Sequence, residues 1–94
     1  MKKWEHVPED EDTVILDQQT TNIEGIEVLY QKWFFEGIKA ESLIFHTKDV
    51  SSLDEGRLTE LAMKSDFFRK GSDITISTGD HGFTFVNFNF EVPS

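Results

Sequence analysis

The chain has 94 residues, enough for one hydrophobic core, and a formal net charge of −9. It contains no cysteine, which excludes disulfides and thiolate metal sites, and its aromatic content of 13% argues against a disordered chain. No apolar stretch reaches the roughly 18 residues of a membrane span, and none follows the first lysines as in a secretory signal. We therefore expect a soluble cytoplasmic protein without a membrane partner.

Negative charge is concentrated in the N-terminal third of the chain. Neither lysine nor arginine occurs between Lys3 and Lys32. Nucleic acids and anionic membranes require a basic surface, so neither is expected as a direct partner, whereas a basic protein partner is compatible. Residues 1–12 are predicted to be an acidic arm before a single domain, residues 13–94. The carboxylates predicted to bind a partner are Glu9, Asp10, Glu11, Asp12, Asp17, Glu24 and Glu27.

Three strands are predicted in the first half of the domain. Residues 13–17 form a β-branched run typical of a strand, and residues 18–25 are rich in turn-forming side chains. Residues 26–37 and 40–47 are predicted as the next two strands, joined by a hairpin turn near residues 36–39. Both of these strands are apolar at odd and even positions, so we expect both of their faces to be covered.

Residues 51–71 are predicted to form the single helix. Ser52 and Glu55 have the spacing of a capping box, and apolar residues recur at helical spacing up to Phe68. Gly71 is typical of the position just beyond a helix C-terminus. The helix is the strongest local signal in the sequence.

The last third of the chain predicts a hairpin. Residues 72–78 alternate between apolar and polar side chains, which favours a half-exposed strand at a sheet edge, and residues 79–82 predict a turn. A strand rich in phenylalanine follows. The fold class is therefore α+β: an antiparallel sheet of about five strands with one helix packed on a face, in the order β-β-β-α-β-β.

The phenylalanine strand changes its apolar phase near its middle. Phe83 and Phe85 alternate to one side, and Phe88 and Phe90 to the other. Either a β-bulge or a central strand covered on both faces would explain this change. One helix covers one face, so the rest needs another cover: curling of the sheet, the N-terminal arm with Trp4, or a second molecule. The predicted apolar interface consists of Trp33, Phe35, Phe88 and Phe90.

Catalytic and metal-binding signals are weak. Asp80 and His81 are adjacent in a predicted turn, where neighbouring side chains usually diverge. The clustered carboxylates of residues 9–12 lack the spacing of a calcium loop and favour a solvated segment. We therefore expect no catalytic residue, no metal, no cofactor and no enzymatic activity.

Three functional hypotheses remain. The first is a small acidic protein that binds another protein, in its sharpest form an inhibitor or decoy of a basic nucleic-acid-binding protein. The second is a homo-oligomeric structural module that pairs through its aromatic sheet face, as a homodimer for example. The third is a small-ligand carrier or enzyme with a pocket between sheet and helix, using Tyr30, His46 and His81.

Overall fold

The computed structural model describes residues 12–79 and 82–91, which form a five-stranded antiparallel sheet and two helices. The strand order across the sheet is β1-β2-β3-β5-β4. The predicted α+β class and element order are confirmed, and a four-residue helix, α1, is added. The predicted arm lies almost entirely outside the described residues. The elements are β1 (Val14–Ile23), β2 (Ile26–Phe35), β3 (Ile38–His46), α1 (Thr47–Val50), α2 (Glu55–Lys64), β4 (Thr75–Thr78) and β5 (Phe83–Glu91).

The two faces of the sheet pack differently. On the helix side, the described helices and the segment after α2 pack on a continuous core. On the opposite face, which we call the open face, Leu29, Ile44 and Phe83 form a smaller buried cluster with Phe85 against it. The fully or nearly fully buried members of the helix-side core include Val28, Tyr30, Leu43, Phe45, Leu58, Leu61, Ala62, Val86 and Phe88.

Both early hairpins turn through a Glu-Gly pair with positive φ. The φ angles are 50° and 85° at Glu24 and Gly25, and 49° and 81° at Glu36 and Gly37. Positive φ at both central residues defines the type I′ turn, whose twist matches the strands that it joins. The turn predicted within residues 18–25 occurs only at the end of that segment, where the backbone N–H of Gly25 donates to Oδ1 of Asn22 at 2.9 Å. Residues 18–22 are strand, because pairing along β2 outweighs their weak strand propensity.

Helix α2 is shorter than predicted at both ends. Asp54, not Ser52, is its N-cap, and the Asp54 carboxylate accepts from the backbone N–H of Arg57 at 2.8 Å. The helix ends at Lys64. The backbone N–H and the hydroxyl of Ser65 both donate to the carbonyl of Ala62, at 3.1 and 2.6 Å, which draws the chain out of the helix.

The two phenylalanines after α2 reach the core from irregular chain. The ring of Phe67 stacks on Tyr30 with centroids 3.8 Å apart and an interplanar angle of 11°. The ring of Phe68 lies 6.1 Å from that of Phe88. Both aromatic side chains of this irregular segment pack on the helix side of the sheet.

Strand β5 is apolar on both faces and also contains a bulge. Phe85 packs on the open face, whereas Val86 and Phe88 pack in the helix-side core. The β3–β5 register shifts beyond Phe88, and Asn89 has a φ of 54°. This irregularity places Asn89 on the same side as Phe88 and sends Phe90 to the open face. Phe88 and Phe90 therefore lie on opposite faces, not on one face as strict alternation predicts.

Strand β4 occupies the second edge of the sheet, as predicted, and pairs only with β5 among the described strands. It is shorter than the predicted range, with four residues. Ile74 and Ile76 pack against the helix-side core, while Thr75 and Ser77 are exposed.

Candidate functional site

A buried carboxylate forms the centre of a polar cluster on the helix side. Glu41 in β3 is a buried residue, only 8% exposed. The hydroxyl of Tyr30 donates to its Oε2 at 2.5 Å, and the amide Nδ2 of Asn89 donates to its Oε1 at 3.0 Å. The guanidinium of Arg69 lies 3.5 Å from the same Oε1. A buried carboxylate requires such partners, and here both oxygens have them.

Asn89 attaches the segment after α2 to β5. Its Nδ2 donates to the carbonyl of Phe67 at 2.8 Å, and its Oδ1 accepts from the backbone N–H of Arg69 at 3.2 Å. The hydroxyl of Ser72 donates to the same Oδ1. Asparagine tolerates a left-handed φ better than most residues do. The same residue can therefore form the bulge and make these hydrogen bonds. The arrangement holds the chain in place and leaves neither amide atom for a ligand.

Burial and the adjacent carboxylate raise the pKa of Tyr30 well above its usual range, with burial the larger cause and the hydrogen bond to Glu41 the next. Tyr30 is therefore a protonated donor at neutral pH. A tyrosine in this state cannot serve as a general base, and its O–H is already engaged in the hydrogen bond to Glu41. The cluster stabilises the fold instead of presenting an acid–base pair.

The residues proposed for a pocket between sheet and helix are not brought together. Tyr30 lies on the helix side, whereas His46 lies on the open face with its ring 5.1 Å from that of Phe83. His81 and its neighbour Asp80 lie outside the described residues. Among residues 12–79 and 82–91, no three histidine, aspartate or glutamate side chains are grouped to hold a metal.

A cavity of about 440 Å³ opens beside the polar cluster, between residues 69–73 and residues 89–91. Its charges are of both signs, and two of them are joined, because Arg69 donates to Glu91 at 2.9 Å. Ligand pockets are mostly apolar with a few converging polar groups. Only one large apolar side chain, that of Phe90, lines this cavity beside four charged residues, and we assign no ligand to it.

The described acidic residues do not form one patch. Asp12 and Asp17 lie at the start of β1, whereas Glu24 is in the turn at its far end. Glu24 accepts from Lys64 at 2.8 Å and also pairs with Arg57, which joins the hairpin to α2. The hydrogen bond from Lys64, more than the charge of Arg57, lowers the pKa of Glu24. Glu27 lies on the open face of β2, and Glu9, Asp10 and Glu11 lie outside the described residues.

Three of the four residues predicted as an apolar interface share the open face. Trp33 and Phe90 contact edge to face with ring centroids 6.4 Å apart, and Phe90 is 42% exposed. Phe35 is half-buried on the same face of β2 by strand alternation. Phe88 is fully buried in the helix-side core and presents no surface to a partner.

A polar row crosses the open face through all five strands. Directly paired positions supply Gln18, Gln31, Ser42, Asn87 and Thr75. Trp33 donates through its indole N–H to Ser42 at 2.7 Å, and Ser42 donates to Asn87 at 2.5 Å. Gln31 donates to Gln18 at 2.8 Å. The first two bonds fix the tryptophan ring against β3 and β5, and the third joins β2 to β1.

Comparison with protein-family models, with curated proteins and with solved structures gave no match. In the described part of the chain, no helix is long and apolar enough to cross a membrane.

Sequence reasoning missed Glu41 and Asn89. A usable signal was present, since Glu41 follows Ala40 inside a strand predicted to be covered on both faces, and Asn89 separates Phe88 from Phe90. A charged or amide side chain inside such a run predicts a satisfied buried polar group. The partners of these two buried polar groups come partly from the segment after α2. The position of that segment cannot be read from a local sequence pattern.

Proposed function

We propose that this chain is a non-enzymatic protein-binding module that recognises a basic protein partner through β1 and the carboxylates beside it. The observation that carries the proposal is the character of β1. Among the described strands it lies at the edge of the sheet, it is ten residues long without lysine or arginine, and its residues from Leu16 to Thr20 are all exposed. Asp17 lies within this exposed stretch, and Asp12 precedes it.

The distribution of ion pairs supports a negative field at β1. Arg57 pairs with Glu24 and Glu60, Lys64 pairs with Glu24, and Arg69 pairs with Glu91 and Glu41. These three cations are thus engaged on and after α2, away from Asp17. Lys32 lies opposite Asp17 in the β1–β2 register, but the Asp17 carboxylate accepts from the backbone N–H of Gln18. A surface charge of one sign raises the association rate of an oppositely charged partner, most strongly at low salt.

The polar groups of the buried cluster support a binding role over an enzymatic one. Tyr30, Glu41 and Asn89 are hydrogen-bonded to one another or to the backbone, whereas a catalytic group needs an atom that can reach substrate.

The proposal does not extend to imitation of a phosphate backbone. Asp17 and Glu24 are separated by seven positions of β1 and its turn, roughly 23 Å in an extended strand. Glu24 is also neutralised by two cations of α2. These carboxylates therefore do not form a regular row of charge like that of a nucleic-acid strand.

The test uses two double variants with the same change of charge. Asp12→Asn/Asp17→Asn removes charge at β1, and Asp66→Asn/Asp73→Asn removes it from exposed positions after α2. A partner is first captured from extract of the source organism, purified, and titrated calorimetrically against each variant at low and moderate salt. Two exposed ion pairs are each worth about 0.2–1 kcal/mol, so the β1 variant should bind about 2- to 30-fold more weakly.

The control variant should bind within about twofold of the parent chain, and the difference between the variants should shrink as salt screens the charges. Equal weakening by both variants would mean that overall charge, not β1, determines binding. A partner whose affinity is unaffected by either variant would overturn the proposal.

A second candidate function, self-association through the open face, is favoured by the exposed ring of Phe90 beside Trp33. Apolar contacts are insensitive to salt, so a dimer of this kind should persist at 1 M salt and dissociate in Phe90→Ser. Sedimentation equilibrium at tens of micromolar measures this directly. A monomer under those conditions would remove the candidate.

A further inference from the structure

The register of the first hairpin determines which backbone groups of β1 face outward. Ile23 and Ile26 flank the two-residue turn and are paired. Residues flanking such a turn exchange both of their hydrogen bonds, and bonded and non-bonded pairs alternate along an antiparallel ladder. Gln19 and Thr21 therefore also direct their N–H and C=O groups to β2. The groups that point to the open edge belong to Gln18, Thr20 and Asn22.

A separate contact agrees with this assignment. The backbone N–H of Gln18 donates to the carboxylate of Asp17 at 2.9 Å. A backbone N–H that donates to a side chain of its own strand does not point into the ladder with β2. Asp17 thus satisfies one donor of the edge, while the backbone groups of Thr20 and Asn22 lie along the same edge beyond it.

In the described chain, the stretch of this edge from Asp17 to Ile23 lacks the features that usually prevent pairing with another strand. Natural edge strands are short or carry lysine, proline or a bulge. Strand β4, at the other edge, has only four residues. Strand β1 has one bulge, between Ile15 and Asp17, and its register is then continuous from Asp17 to Ile23 without lysine, arginine or proline.

We propose that residues 17–23 of β1 accept an extended segment of the partner as a sixth strand, with a lysine or arginine of that segment beside Asp17. This inference rests on the proposed function and specifies its mode of binding. Backbone groups of Thr20 and Asn22 pair with the incoming strand. The carboxylate of Asp17 exchanges the Gln18 amide for the incoming cation, and that amide becomes available to the new ladder.

The charge of the incoming residue follows from what surrounds Asp17. Opposite charges that face each other across two strands stabilise the pair, and like charges destabilise it. Lys32 is paired with Asp17 on the inner side, but the Asp17 carboxylate turns toward the Gln18 amide at the edge. An acidic segment would be repelled by Asp12 and Asp17. The partner strand should therefore contain no carboxylate opposite Asp17.

The probe is a phage-displayed library of random eight-residue peptides, selected against the full chain. Selected peptides are synthesised and titrated against Thr20→Pro and Thr20→Val. Proline removes an outward N–H without removing a bond to β2, whereas valine keeps that N–H and changes only the side chain. Circular dichroism confirms that each variant is folded. A second set of peptides, methylated at alternate backbone nitrogens, gives a readout that does not depend on any variant folding.

The expected peptides alternate β-forming residues with lysine or arginine. Their affinity should fall about tenfold or more in Thr20→Pro, remain within about twofold in Thr20→Val, and be abolished by methylation in only one of the two alternating phases. Basic peptides that bind Thr20→Pro as well as the parent chain, with no dependence on methylation phase, would overturn strand addition and leave the acidic binding function intact. Failure to select any basic peptide would overturn both.

Discussion

The hydroxyl of Tyr30 in β2 donates a 2.5 Å hydrogen bond to the carboxylate of Glu41 in β3, on the helix side of the sheet. The two residues are eleven positions apart and are joined across a pair of strands whose other helix-side contacts are mostly apolar. Removing one partner of a buried charged hydrogen bond exposes the other to an apolar setting, so this contact is a sensitive point for stability.

Tyr30→Phe should lower the free energy of unfolding by roughly 1.5–3 kcal/mol, since the bond is made to a charged acceptor and stacking on Phe67 is retained. Urea unfolding measures the change. A double-mutant cycle with Glu41→Gln isolates the pair from the other partners of Glu41. Additive effects of the two substitutions would show that the contact contributes nothing specific.

Stability should fall as the pH rises above about 10. The pKa of Tyr30 is raised in the folded protein, so the unfolded chain loses this proton first and the folded state retains it. The slope from one such group is at most about 1.4 kcal/mol per pH unit above the unfolded pKa. Tyr30 is the single tyrosine, so tyrosinate absorbance reports it alone. Ionisation near pH 10 while the protein is still folded would contradict the structure.

Asn89 should tolerate glycine better than alanine, the reverse of the usual order within a strand. Both substitutions remove the hydrogen bonds to Glu41, Phe67, Arg69 and Ser72. Alanine adds the cost of a φ of 54°, about 1–2 kcal/mol, which glycine avoids. Thermal unfolding of the two variants measures their difference. Alanine at least as stable as glycine would mean that the bulge is not held in this geometry.

The second hairpin turn can be improved. Glu36 has a φ of 49° before Gly37, and asparagine is the preferred residue at this position of a type I′ turn. Glu36→Asn should raise the free energy of unfolding by roughly 0.5–1 kcal/mol. Glu24→Asn, in the matching turn, serves as the control, because there the gain in turn geometry is offset by loss of the contacts to Arg57 and Lys64. Equal gains in both turns would contradict the role of those contacts.

The element order was predictable because apolar phase and turn signals act locally. Residues 26–35 and 38–46 are covered on both faces at their centres, as their continuous apolar pattern predicts. The turn signals of residues 18–25 are confirmed only at Asn22 and Gly25, and the rest of the segment is strand for a non-local reason. Glutamine, threonine and asparagine have little strand preference of their own, and the neighbouring β2 supplies the pairing that makes them strand.

The candidate surfaces were only partly predictable. The charge distribution of the sequence indicates Asp17 as a candidate. Its position on an accessible edge depends on the strand order, which no local sequence pattern predicts. Phe88 and Phe90 were assigned to one interface because alternation places them together. The bulge at Asn89 separates them, and its cause is a set of hydrogen bonds to residues about twenty positions away.

Amide hydrogen exchange along β1, measured by NMR with and without a selected basic peptide, tests the binding edge most directly. In the free chain, Gln19 and Thr21 should be protected by β2, while Thr20 and Asn22 exchange rapidly. With the peptide bound, Thr20 and Asn22 should become protected, and the rates at Trp33 and Phe90 should not change. Protection that appears only on the open face, or no change along β1 at saturating peptide, would contradict the assignment of β1 as the partner-binding edge.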